Sequence, residues 1–332
     1  MSRTWLLVSM LLCWPALSDA QSSIGTGDAQ SSIGITKVAD RIEVSIGEEL
    51  FTAFNFKETT KPYLYPVHGP GQIRMTRDFP MKETAGEADD HPHHKSIWIG
   101  HKVNEIDFWT CRSGAKIVVA AEPSIDTKLS CITAISNWTD ANGKVTCSDT
   151  TKWTFGANEK SRWIDCKFSL IASEGPTTIN DTKEGTVAIR THPDLRLKPD
   201  PKRGVKEVFG NAFNSQGTKG HDVWGQSASW VAYCGTVASK PASILILDHP
   251  ENFRSPTTWH ARDYGLVAAN PFGLHDFQQM KKGAGAVKLL KGQSITLRYR
   301  FLFFGEIVDA KTAEAEMRKF QANSAGEKKT DQ

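Results

Sequence analysis

The chain has 332 residues, 39% hydrophobic and 23% charged, and 40 Lys and Arg against 37 Asp and Glu leave a formal net charge of +3. Acids and bases so evenly matched, with no basic stripe, argue against nucleic acid as a partner. Beyond the N-terminus no stretch is long and apolar enough to span a bilayer, and the length is enough to bury one large core.

Residues 1–20 read as a secretory signal. Arg3 supplies the positive end, residues 5–12 the apolar run, and Ser18-Asp19-Ala20 a small-residue cleavage site. The expected location is therefore the periplasm or the extracellular medium. Cys13 follows Met10-Leu11-Leu12 rather than the small residues that precede a lipidated cysteine. The other five cysteines are Cys111, Cys131, Cys147, Cys166 and Cys234, an odd number with no C-x-x-C spacing. Cys131 and Cys147 are candidates for a disulfide if their strands are neighbours, and buried inert thiols are the alternative.

Residues 21–36 carry a short polar duplication, Gln21-Ser22-Ser23-Ile24-Gly25 and Gln30-Ser31-Ser32-Ile33-Gly34, which reads as a flexible leader. From Arg41 the pattern changes. Ile42, Val44 and Ile46 alternate with polar residues, Gly47-Glu48 turns, and residues 50–56 return as the second arm of a hairpin. Further β-branched or aromatic runs lie at 117–120, 129–138, 144–155, 162–171, 186–190, 229–234, 243–247 and 294–304. Turn residues separate them. So many short strands with few helices imply a mostly β fold, an antiparallel two-sheet sandwich spanning 37–323 as one domain. A short C-terminal helix is predicted over 311–321, where Ala313, Met317 and Phe320 share a face, and 324–332 is a polar tail expected to be disordered.

Between the strands lie irregular segments at 62–110, 191–227 and 249–285, and loops of that length are usually functional. They carry almost every histidine. Asp90-His91-Pro92-His93-His94 with His101 concentrates four of the chain's ten imidazoles in twelve positions. In an extended segment His91 and His93 would project to one face and His94 to the other, so convergence requires a bend, which Pro92 favours. His93, His94 and His101 are the candidate ligands for a divalent metal such as Zn, Mn or Ca. Metal-free acid/base chemistry with His94 is the alternative, and a polar structural loop the plainest reading.

Three other constellations add to this. Tyr63-Leu64-Tyr65 leads to His68 and then to Arg77 and Asp78, a donor and acceptor suited to sugar hydroxyls. Asp107 is placed to orient an imidazole and Trp109 to floor a pocket. Trp259-His260-Ala261-Arg262-Asp263-Tyr264-Gly265 offers His260 and Asp263 as acid or base, with Arg262 and Tyr264 as substrate contacts. A structural turn, a core tryptophan and a buried ion-pair network are the respective alternatives.

With residues 63–81, 90–109 and 260–273 in this order behind a signal peptide, the chain resembles the secreted PmoA-like family of uncharacterised bacterial proteins. That family's label "methane oxygenase" is rejected here, because the subunit it refers to is a bundle of membrane helices and this chain has no spanning segment. The resemblance implies a galactose-mutarotase-like supersandwich and a place in glycan catabolism beside sugar dehydrogenases and isomerases. By analogy with mutarotases, His94 or His260 would be the acid and Asp263 or Asp78 the base. The function expected is an exported carbohydrate-active enzyme of lyase, hydrolase or epimerase type, acting on a sugar or keto-sugar glycoside. A non-catalytic glycan-binding protein on the same fold and an envelope copper or redox protein are the alternatives.

Overall fold

The computed structural model describes residue 1, residues 32–203 and residues 205–327, with side chains to 322. Apart from residue 1, the segment read as a signal peptide lies outside the described residues, as do 21–31 of the leader and 328–332 of the tail. Ile33–Val38, within the stretch read as leader, is a strand paired along its length with Arg41–Ile46.

Two large antiparallel sheets pack face to face. The first has eight strands, in the order Ile33–Val38, Arg41–Ile46, Glu49–Asn55, Tyr63–Val67, Ile97–Ile99, Val187–Arg190, Leu266–Ala269 and Trp259–Ala261. The second runs Asn211–Asn214, Trp230–Val237, Lys240–Asp248, Ser294–Phe304, Ser161–Ile171, Val145–Ala157, Cys131–Thr139 and Lys116–Val119, with Ser124–Asp126 also pairing on Cys131–Thr139. A small third sheet joins Val287–Leu289, Thr177–Ile179, Lys102–Val103 and Ile106–Asp107. The expected mostly β, antiparallel sandwich is the fold observed.

Alternation sets the long strands in register. In Val145–Ala157 the residues Cys147, Asp149, Thr151, Trp153 and Phe155 are buried while the residues between them are half-exposed, the period of a strand with one face on a core. Opposite them Ile42, Val44, Phe51, Phe54, Ile97, Ile189 and Val267 come from the first sheet, and the two sets form one continuous apolar core. The helix runs Ala310–Glu327, longer than the sequence suggested, and Ala313, Met317 and Phe320 lie in a second cluster with Trp230, Leu245, Leu247, Leu302 and Phe304. It covers the outer face of the second sheet, which explains why the strands beneath it are apolar on both sides.

No disulfide joins Cys131 to Cys147. Their strands are neighbours, but the register sets Cys131 opposite Thr154 and Cys147 opposite Trp138, too far along the ladder for sulfurs to meet. All five described cysteines are free and buried, and burial pushes the Cys147 thiol up to about 12.

Candidate functional site

Register also builds the outer face of the first sheet. Tyr63 lies opposite Trp98, Trp98 opposite Ala188, Ala188 opposite Ala268, and Ala268 opposite His260. Directly opposed residues share a face, and so do residues two apart, which adds Arg190 and Leu266. Their alternates Ile97, Ile189, Val267 and Ala261 turn into the main core. The result is a floor of two alanines between a tryptophan and a histidine, with Trp109 and Tyr264 joining the same cluster.

The histidine segment lies over this floor. Its backbone turns as the sequence required: His94 N–H donates to the His91 carbonyl at 3.0 Å, and His91 takes the left-handed conformation at φ 48°. The three imidazoles converge, with ring centroids 4.4 Å apart for His93 and His94, 4.7 Å for His91 and His94, and 5.6 Å for His91 and His93. Four near-parallel rings form a column. Trp98 and His94 are 5.0 Å apart at 20°, His94 and His91 4.7 Å at 13°, and His91 and Tyr264 5.3 Å at 16°. The guanidinium of Arg190 caps Tyr264 at 4.5 Å, with Arg262 at 5.5 Å.

Asp90 is the electrostatic hub. It accepts from Arg77 at 2.6 Å and Arg190 at 3.2 Å, and its second oxygen is 2.9 Å from His91 Nδ1, off the line of a straight hydrogen bond. Burial opposes its ionisation, but the His91 contact and the two guanidinium groups outweigh it and hold the carboxyl well below the usual range. Arg190 also faces His94 Nδ1 at 3.3 Å. Burial, with Arg77 next in weight, lowers Arg190 to about 9.

Three of the buried imidazoles, His93, His94 and His260, are held in the neutral form. Burial, reinforced by Lys61, brings His93 down to about 3, and burial with Arg190 takes His94 well below its ordinary value. Burial with Arg262 lowers His260 to about 3. Lys61, wholly buried against the Trp109 carbonyl, is brought down to about 8 by burial. Glu184 moves the other way: burial raises it, opposed by Lys183, His91 and Arg262. Two buried ring nitrogens of the cluster, His93 Nδ1 and His260 Nδ1, have no hydrogen-bond partner.

His93, His94, Trp109, Arg77, Tyr264, Arg262 and His260 are thus gathered around one sheet face, while four expected residues lie apart. His101 donates from Nε2 to the Asn180 carbonyl at 2.7 Å and has Thr186 Oγ1 3.2 Å from Nδ1, so both ring nitrogens are engaged away from the cluster. Burial lowers it to about 4. Asp78 does not pair with Arg77. Adjacent residues in extended backbone point opposite ways, and Asp78 instead accepts from Tyr65 at 3.1 Å, Thr84 at 2.6 Å and Arg74. His68 is held at the Leu50 carbonyl, 3.1 Å away. Asp263 pairs with Lys198 at 2.9 Å. Trp109 floors the cluster from within, wholly buried, and presents no face to solvent.

The set His93, His94 and His101 does not fit a metal ion: His101 has no free lone pair, and a guanidinium faces His94. Among the described residues no group of three His, Cys, Asp or Glu is disposed to hold one. Asp90, His91, Glu184 and Arg190 were missed as site residues. Asp90 and His91 stand in the motif itself, but Arg190 ends a strand a hundred positions from its partner and Glu184 carries no local signal.

The model of a family of unknown function, DUF6807, matches residues 41–318. No curated protein matches the chain. Among solved structures, a beta-arabinopyranosidase is similar at 12% identity and a TM-score of 0.40, over 76% of this chain and 38% of that one. A galactose mutarotase-like protein from Lactobacillus casei is similar at 10% identity and a TM-score of 0.32, over 82% and 99% respectively. An alpha-galactosidase from Geobacillus stearothermophilus is similar at 8% identity and a TM-score of 0.38, over 83% and 41%. The chain spans well under half of the arabinopyranosidase and of the galactosidase.

Proposed function

Since the chain belongs to DUF6807, a family of unknown function, we propose from the chemistry of the site that it is a carbohydrate-active enzyme of lyase, hydrolase or epimerase type. Its substrate is a sugar or keto-sugar glycoside, and its chemistry is proton transfer by side chains. The observation that carries this reading is the Asp90–His91 pair within the ring column, beside Glu184. With His91 Nδ1 turned to the Asp90 carboxylate, Nε2 is left to take a proton. The half-exposed Glu184, its carboxyl raised by burial, supplies the complementary acid. An acid and a base held side by side at one centre are what proton transfer to and from a substrate requires. Arg190 and Arg262 stabilise negative charge on a substrate oxygen as the proton leaves carbon. His93, neutral and with Nδ1 unpartnered, offers a hydrogen-bonding group beside the same rings.

Export, and kinship with the secreted PmoA-like proteins, belong to the same proposal. N-terminal sequencing of the mature protein should begin near residue 21, and retention of the first twenty residues inside the cell would sink that part. The catalytic part is tested by mass-spectrometric product analysis against a panel of glycosides and their keto-sugar derivatives, with and without chelator, beside His91→Ala. Turnover should be lost in the variant and unchanged by chelator. Sugar binding with no turnover on any member of the panel would leave a glycan-binding module instead.

A further inference from the structure

Arg77, Arg190 and Arg196 have relative exposures of 1%, 2% and 8%, and all three line one cleft of about 320 Å³. Burying a charge without a partner is costly, so three guanidinium groups on one wall need compensation. What the fold supplies in opposite charge is thin. Arg77 donates to the carbonyls of Phe79, Ala88 and His91, but it and Arg190 share the single carboxylate of Asp90, which is itself 39% exposed. Arg196 holds Asp200 with Nη1 at 3.0 Å, but its buried Nε has no partner. Two other acids border the cleft. Asp194 is occupied by the Ala238 N–H at 3.1 Å, and Glu207 is exposed. On the rim Phe209 leaves 66% of its surface to solvent. Exposed aromatic faces of this kind are where the apolar side of a sugar ring rests.

We propose that this cleft binds the carboxylate of an acidic sugar, a uronate or an aldonate, with the carbon skeleton against Phe209. The guanidinium fork matches a carboxylate in two parallel hydrogen bonds, which ammonium groups do not reproduce. A single negative charge suits the cleft better than a phosphate dianion, because Asp194 and Glu207 stand on its walls. The inference rests on the sugar-handling reading and names the substrate class of that site. Cleft and histidine cluster are joined through Arg77, Arg190 and Tyr264, which belong to both.

The test is calorimetric titration of the full chain at low salt with glucuronate, galacturonate and gluconate. Glucose and galactose serve as neutral counterparts and glucose 6-phosphate as the dianion. At least one acid should bind about tenfold or more tightly than its neutral counterpart, the worth of roughly one charge-assisted pair. The advantage should shrink as salt rises. Arg196→Gln should bring it to within about threefold and Arg196→Lys restore part of it, with circular dichroism confirming the fold. If Arg196→Gln does not fold, Phe209→Ala carries the test, since an exposed ring can be removed safely and acid binding should weaken severalfold. Equal binding of acids and neutral sugars, a preference that survives Arg196→Gln, or tighter binding of the phosphate would overturn the assignment. Turnover of neutral glycosides without acid preference would sink it and leave the enzyme reading standing. Acid binding without any turnover would do the reverse.

Discussion

The two large sheets each have an outer face, and the two faces are covered in opposite ways. On the second sheet Trp230, Leu245, Leu247, Leu302 and Phe304 meet Val308, Ala313, Met317 and Phe320 of the helix and the turn before it, an apolar seal. On the first sheet Trp98, Ala188 and Ala268 are covered by three histidines, a tyrosine and two arginines on one carboxylate. The same layer geometry serves cohesion on one side and chemistry on the other. Apolar cover returns free energy for every ångström squared removed from water, whereas buried imidazoles and guanidinium groups return little and must be held by their neighbours. Stability is expected on the helix side and reactivity on the histidine side.

Acid should break the comparison most violently. His93, His101, His192 and His260, at about 3 to 4, and His94, well below its ordinary value, are depressed by burial, so their contribution is fully present above about 6.5 and is lost as pH falls. Burial raises Asp149 and Asp248 to about 6 and moves Glu87 and Glu184 the same way, so these four act with the opposite sign, favouring the folded state as they take up protons. Five imidazoles against four carboxylates leave a net loss as pH falls from about 6 to 4, on the order of one proton, or ~1.4 kcal/mol per pH unit. The urea midpoint should therefore fall steadily over that range. A midpoint unchanged between pH 6.5 and 4 would refute this.

The next effect is on rate. His91→Ala should lower turnover about 10²- to 10⁴-fold while changing stability by less than about 1 kcal/mol, because the ring is half-exposed. Loss of fold with loss of rate would blur the two faces into one. On the helix side Phe320→Ala should cost about 3–4 kcal/mol in urea unfolding and leave turnover of the remaining native protein unchanged. A change in turnover at low denaturant would show that the faces are coupled. The smallest effect concerns the cysteines. A reductant should shift the melting temperature by no more than about 1 °C, and alkylation of a denatured chain beginning at residue 21 should count five free thiols.

Much of the sandwich was legible because its long strands carry the period themselves. Ser161–Ile171 and Ser294–Phe304 differ by at most a residue from the runs read at 162–171 and 294–304. Three-residue strands such as Ile97–Ile99 and Trp259–Ala261 are too short to show alternation, and they make the site floor. The concentration of histidines at 90–101 was visible, and so was the need for a bend at Pro92. Long-range pairing was not visible. Asp90 meets Arg190 a hundred positions away, and no local pattern says that His101 would turn to Asn180, or that Asp78 would be taken by Arg74 rather than face a substrate.

The placing of Ser294–Phe304 has a consequence for assembly. It lies between Lys240–Asp248 and Ser161–Ile171, bonded to both. Until residue 304 has left the ribosome, the second sheet exists as two unjoined pieces with bare edges, each able to pair wrongly with another chain. Closure then depends on contacts more than a hundred residues apart in sequence, which are slow to find. Overexpression should therefore be limited by aggregation of nascent chains rather than by instability of the finished protein, and slower synthesis at low temperature should recover it.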